Sequence, residues 1–129
     1  MVTFAWVDLA QPRALTAAEF AVLEALVAHA GSAPLTAQLA SARVTGTCGC
    51  GCSSIRLDAD GPPVPPEAMQ ALGGRDDYIG VHATAPGDPP VDTVAHVPGG
   101  RLGELEFFAG EGLPLPPPAP TSLRDFWIG

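Results

Sequence analysis

The chain has 129 residues, of which 47% are apolar and 16% charged, and its formal net charge is −8. That length suits one domain, which buries enough surface to fold without a metal or a disulfide, and the apolar content excludes a disordered polymer. All six basic residues are arginine and they form no cluster along the chain, which excludes a phosphate-neutralising nucleic-acid surface and a polybasic membrane patch.

The N-terminal stretch Met1–Ala10 carries Asp8 and no basic region, so it does not read as a secretory signal. No run of 18 apolar residues occurs, so no membrane span is expected. Three cysteines are an odd number. With no signal, they point to reduced thiols in a cytoplasm.

Thr16-Ala-Ala-Glu19 is a capping box, which starts a helix. Phe20, Leu23, Val27 and Ala30 then recur along one helical face. Gly31 ends the helix and His29 lies in its last turn, a favourable place for a cation. Pro34 suits the first turn of a second helix, whose apolar face is Leu35, Leu39 and Ala42. The two helices are expected to form a hairpin.

Residues 44–52 are glycine-rich and hold the three cysteines. Ser54, Arg56 and Asp58 then alternate with Ile55, Leu57 and Ala59, the period of a half-buried strand. Asp60-Gly-Pro-Pro63 is a turn, and Pro65-Pro66-Glu67 opens a one-turn helix through Leu72. Tyr78–Ala83, Val91–Val97 and Leu102–Phe108 read as further strands. Pro98-Gly-Gly100 marks the last hairpin. The alternation puts Val94, Leu105 and Phe107 on one face with His96 near its turn end, and Glu104 and Glu106 on the opposite, wetter face. Residues 111–129 are a proline-rich extended arm and an apolar tail that docks on its own domain or on a partner. The expected fold is therefore α+β in a single domain over 1–129. An N-terminal helical hairpin packs on a four-stranded antiparallel meander, followed by the proline-rich C-terminal arm.

Cys48-Gly-Cys50-Gly-Cys52 is the strongest chemical signal. Thiolates are ligands for zinc, copper(I) and iron–sulfur clusters, and the glycines allow a tight wrap. Structural zinc sites usually separate cysteines by two residues or more and supply a second pair. Here zinc would need His29, His82 or His96 as a fourth ligand, or a second chain. In a flat strand the three thiols would spread over ~13 Å, so the metal reading requires a turn at Gly49 or Gly51. The same cysteines also read as small buried hydrophobes, or as a reactive thiol needing an electropositive setting, with only Arg43 and Arg56 near in sequence.

Glu104 and Glu106 share a strand face and suit either acid–base work with His96 or a solvated outer surface. Asp58-Ala-Asp60-Gly61 is not a calcium loop, because Met69 stands where the bidentate glutamate belongs. Phosphate-binding loops, the dinucleotide glycine fingerprint, His-Glu-x-x-His and Gly-x-Ser-x-Gly are absent from the sequence. With no lysine there is no Schiff-base chemistry.

The Cys-Gly-Cys-Gly-Cys segment after a helix, and the later Gly100-Arg-Leu-Gly-Glu-Leu-Glu106 strand, resemble a group of short bacterial proteins of unknown activity with a Cys-x-Cys-Gly-Cys segment and a Gly-Arg-Leu-x-x-Leu-Glu hairpin. The resemblance spans about residues 14–110 and implies no activity. In fold style it is also similar to small acidic immunity proteins of bacterial toxin systems. The expected role is a non-enzymatic interaction protein, immunity-like or regulatory, that meets a basic protein partner and neither nucleic acid nor membrane. The alternative is a metal-binding or thiol-active protein built on Cys48, Cys50 and Cys52.

Overall fold

A computed structural model describes residues 6–49, 52–109 and 115–129. Its strands are β1 (Trp6–Ala14), β2 (Arg43–Cys48), β3 (Ile55–Asp58), β4 (Tyr78–Ala85), β5 (Val91–Pro98), β6 (Glu104–Phe108) and β7 (Arg124–Ile128). Its helices are α1 (Ala17–Ala30), α2 (Ala33–Leu39) and α3 (Pro66–Ala71), with a 3-10 turn at Pro120–Ser122. The strands form one antiparallel sheet in the order β1-β2-β3-β6-β5-β4-β7.

α1 starts where the Thr16 hydroxyl accepts from the Glu19 amide and the Glu19 carboxylate accepts from the Thr16 amide. Arg13, at the end of β1, grips the same carboxylate through both guanidinium nitrogens at 2.8 and 3.1 Å. The helix ends at Gly31, whose φ of 65° is left-handed and whose amide caps Val27. α1 packs on β4, β5 and β7. Its buried apolar side chains are Val22, Leu23, Leu26, Val27 and Ala30. Phe20, read from the sequence as part of that face, is instead exposed. Because α1 is apolar over most of its circumference, periodicity alone does not choose its buried side.

On the sheet, Ile55, Leu57, Ile79, Val81, Ala83, Ala95, Val97, Leu105 and Phe107 meet the helices in one core. Cross-strand partners share a face. The opposite face therefore carries Tyr78, Gly80, His82 and Thr84 of β4, Asp92, Val94 and His96 of β5, and Glu104, Glu106 and Phe108 of β6. We call this the polar face.

The expectation of a four-stranded meander is overturned by these seven strands, and its strand order fails too. β3 pairs with β6, not with β4. The loop and α3 between β3 and β4 carry the chain away, so the later β4–β5–β6 meander presents its last strand to β3. The three additional strands have local reasons to be hidden. β1 contains Pro12 and a break in register between Asp8 and Arg13, which an edge strand tolerates. β2 contains Gly46, where a Cβ would lie 3.2 Å from both the Arg56 guanidinium and the Val7 carbonyl, so glycine lets this strand sit close to its neighbours. β7 has one extra residue against β4, with Asp125 at a φ of 56°. That bulge lets both Arg124 and Trp127 face the polar side, which breaks the alternation a strand reading depends on.

No helix among the described residues is long and apolar enough to cross a membrane.

Candidate functional site

The polar face gathers titratable side chains from three adjacent strands. His96 lies opposite Gly80 on β4 and opposite Glu104 on β6. Glu106 is two residues along from Glu104 and returns to the same face. Tyr78 reaches across Gly80, where a Cβ would fall 2.9 Å from the Tyr78 hydroxyl. The missing side chain thus lets Tyr78 hydrogen-bond to His96 Nδ1. On the other side of the ring, His96 Nε2 is 2.8 Å from Glu106 Oε1 and 4.0 Å from Glu104 Oε2. This corrects the expectation that His96 and the glutamates face opposite ways. Counting along each strand from Pro98-Gly-Gly100 does not fix the hairpin register, and the pairing of His96 with Glu104 brings them together.

The electrostatics follow from this geometry. The hydrogen bond to Glu106 raises the His96 pKa above its ordinary value, against the effect of burial. The same bond holds Glu106 below the usual carboxylate range. Burial raises Glu104, and repulsion from Glu106 adds to that while His96 opposes it. Burial raises Tyr78, with the two carboxylates adding to the effect. When protonated, the His96 ring donates from Nε2 to Glu106 and from Nδ1 to Tyr78 Oη. Next to Glu104 on the other flank, Arg56 of β3 turns to Asp8 and lies over the Trp6 ring.

Beside this network is a hollow of about 250 Å³ lined by His82, Thr84, Asp92, Val94, Glu106, Phe108 and Trp127, with Ala83 and Thr93. Trp127 and Phe108 are 54% and 51% exposed, large values for such side chains. Trp127 lies flat on His82 with ring centroids 3.7 Å apart. Burial lowers the His82 pKa, partly offset by a hydrogen bond to Gly129. Asp92 is exposed and accepts from the Thr84 hydroxyl at 3.3 Å. No arginine is among the lining residues. Arg124, opposite Thr84, is exposed and outside the lining.

The cysteine segment lies elsewhere. Cys48 ends β2, and its amide donates to the Ser54 carbonyl at 3.2 Å. Cys48 and Cys52 are half-buried. Cys52 borders a second hollow of about 270 Å³ with Arg13, Glu19, Thr47 and Ser54. Cys50 lies outside the described residues. His29 stacks on Phe126 with ring centroids 5.0 Å apart, on the helix side of the sheet. His82 and His96 stand on the other side. The three histidines named as alternative fourth ligands are therefore divided between the two faces. Among the described residues, the His, Cys, Asp and Glu side chains grouped closely enough to share an ion are His96, Glu104 and Glu106, without a thiol.

Sequence reading missed Tyr78 and Trp127 as site residues. Tyr78 was legible in principle, because it falls in the same period-two series as Gly80 and His82. Trp127 was not, because the bulge at Asp125 decides its face. No protein family, curated protein or solved structure matches the chain.

Proposed function

We propose that this chain is a non-enzymatic interaction domain, immunity-like or regulatory, that works in a reducing cytoplasm. Its polar sheet face takes a lysine or arginine side chain of a basic protein partner. One observation carries the reading: the hollow beside Trp127 joins two carboxylates, Asp92 and Glu106, to two exposed aromatic rings, with no arginine in its lining.

Long basic side chains have an apolar stem and a cationic head. The Trp127 and Phe108 walls suit the stem. Asp92 and Glu106 suit the head through charge-assisted hydrogen bonds. The volume also argues for a side chain, since pockets for drug-sized ligands run from about 300 to 1,000 Å³ and this one is about 250 Å³. The net charge of −8 supports steering of a basic partner toward the domain.

The test is calorimetric titration with Nα-acetyl-arginine methylamide, with the uncharged citrulline analogue as control. A single side chain is expected to bind with a Kd on the order of 1 mM and the citrulline analogue not at all. Asp92→Asn should weaken binding several-fold, and added salt should weaken it too. Equal binding of the neutral analogue, or an unchanged Kd in the Asp92→Asn protein, would contradict the reading.

A further inference from the structure

The nitrogen and the two carboxylates beside the hollow form a ligand set in their own right. His96 Nε2 and one oxygen each from Glu104 and Glu106 lie within 4.8 Å of one another. All three side chains stand on two hydrogen-bonded strands, His96 directly across from Glu104, with Glu106 two residues farther along β6 on the same face. A rigid antiparallel ladder thus fixes their origins, which is where a site gains its precision.

The distances suit a small ion. Zinc bonds of ~2.0–2.1 Å in tetrahedral geometry place neighbouring donors roughly 3.3 Å apart. The observed Nε2 distances of 2.8 Å to Glu106 and 4.0 Å to Glu104 lie on either side of that value. A side-chain adjustment of under ~1 Å brings both to it, with no change in the ladder. The far ring nitrogen is already engaged, since Nδ1 is hydrogen-bonded to Tyr78. A metal-ligating histidine almost always has such a partner, which fixes its tautomer and aims the other nitrogen at the ion.

Charge and exposure agree. Two carboxylates balance a divalent cation. The three side chains are 25%, 31% and 37% exposed, so water has access to the remaining coordination positions. Imidazole with carboxylates selects zinc or another divalent transition ion over copper(I), which prefers thiolate, and over calcium, which prefers an all-oxygen shell.

We propose that His96 Nε2 with the carboxylates of Glu104 and Glu106 binds one divalent transition-metal ion, zinc foremost, with Tyr78 as the residue that positions the imidazole. The site is separate from the cysteines. The proposal stands whether or not the hollow takes a basic side chain, although Glu106 borders both.

The experiment is titration of chelator-stripped, fully reduced protein with zinc chloride by calorimetry, repeated with cobalt(II) and followed by visible absorption. One equivalent is expected. The cobalt complex should show weak ligand-field bands without the strong near-ultraviolet band of thiolate ligation. His96→Gln and Glu104→Gln should each weaken binding at least 10-fold, and Tyr78→Phe should weaken it about 10-fold while leaving the ligands in place. Simultaneous Cys48→Ser, Cys50→Ser and Cys52→Ser substitution should leave the affinity unchanged. Absence of saturable binding up to 1 mM zinc would overturn the proposal, as would binding that survives His96→Gln and disappears in the triple serine protein. If either ligand variant fails to show native circular dichroism, Tyr78→Phe and the triple serine variant decide: an unchanged Kd in the first or a lost site in the second overturns it. Titration with the arginine amide in excess chelator tests the interaction reading apart from this one.

Discussion

Gln38 is fully buried and ties two loops together. Its amide nitrogen donates to the Pro62 and Gly100 carbonyls, both at 3.0 Å, and its oxygen accepts from the Leu102 amide at 2.9 Å. Replacing it with leucine keeps the volume, strands the buried Leu102 amide and takes a partner from the Pro62 carbonyl, while the Gly100 carbonyl keeps the Val64 amide; a buried group left unpaired carries a desolvation cost. Gln38→Leu is expected to lower stability by about 2–4 kcal/mol, read from the urea midpoint at unchanged slope. The sequence does not reveal this role. Leu35, Leu39 and Ala42 announce the apolar face of α2, and Gln38 beside them looks like its polar border. Its burial comes from the loops around Pro62 and Gly100, more than twenty residues away. His96 shows the same limit. The residue was legible as a candidate, but its partners Tyr78 and Glu106 are set by cross-strand register, which single-strand alternation leaves open.

Among the elements, α1 was the most legible because its start is written in local chemistry. Thr16 and Glu19 form the capping box that their spacing predicts, and Arg13 adds an ion pair from β1 that the spacing does not predict. Burial pushes the Glu19 carboxyl up, yet the Arg13 guanidinium and the Thr16 amide together hold it below its ordinary value. A lowered folded pKa means that the contribution is complete above the unfolded pKa of about 4.3 and fades as pH falls through the folded value. Glu19→Gln should therefore cost about 1–2 kcal/mol at pH 7. The gap between variant and parent should shrink in denaturant melts near pH 3, and a gap that stays constant across this range would place the effect in packing instead. β4 and β6 were also legible, since each alternates cleanly and Pro98-Gly-Gly100 marks the hairpin before β6, whereas the face of β5 was not: Val94, expected beside Leu105 and Phe107, lies on the polar face opposite Glu106, and Thr93 takes the core side. β1, β2 and β7 were not. Pro12, Gly46 and the Asp125 bulge each break the period for a reason that exists only in the assembled sheet.

At the scale of the whole molecule, the sheet has one face for the core and one for chemistry, and the C-terminal strand contributes to both. Leu123 is buried in the core, Phe126 stacks on His29, and Trp127 stacks on His82 on the polar face. Deleting residues 123–129 removes these contacts and bares the edge of β4. The expected result is a fall in Tm of ~10 °C or more, with loss of any affinity for the arginine amide. The acidic charge is a property of the same scale. It was legible at once from composition, whereas the gathering of Asp92, Glu106, Phe108 and Trp127 around one hollow depends on the order of four strands and the bulge in the last. The most direct test of this surface as the binding face is a heteronuclear NMR titration of ¹⁵N-labelled protein with Nα-acetyl-arginine methylamide. The account predicts saturable shifts confined to the amides around His82–Thr84, Asp92–Val94 and Glu106–Phe108 and to the Trp127 indole. Shifts centred on the cysteine segment, or spread evenly over the acidic surface, would contradict it.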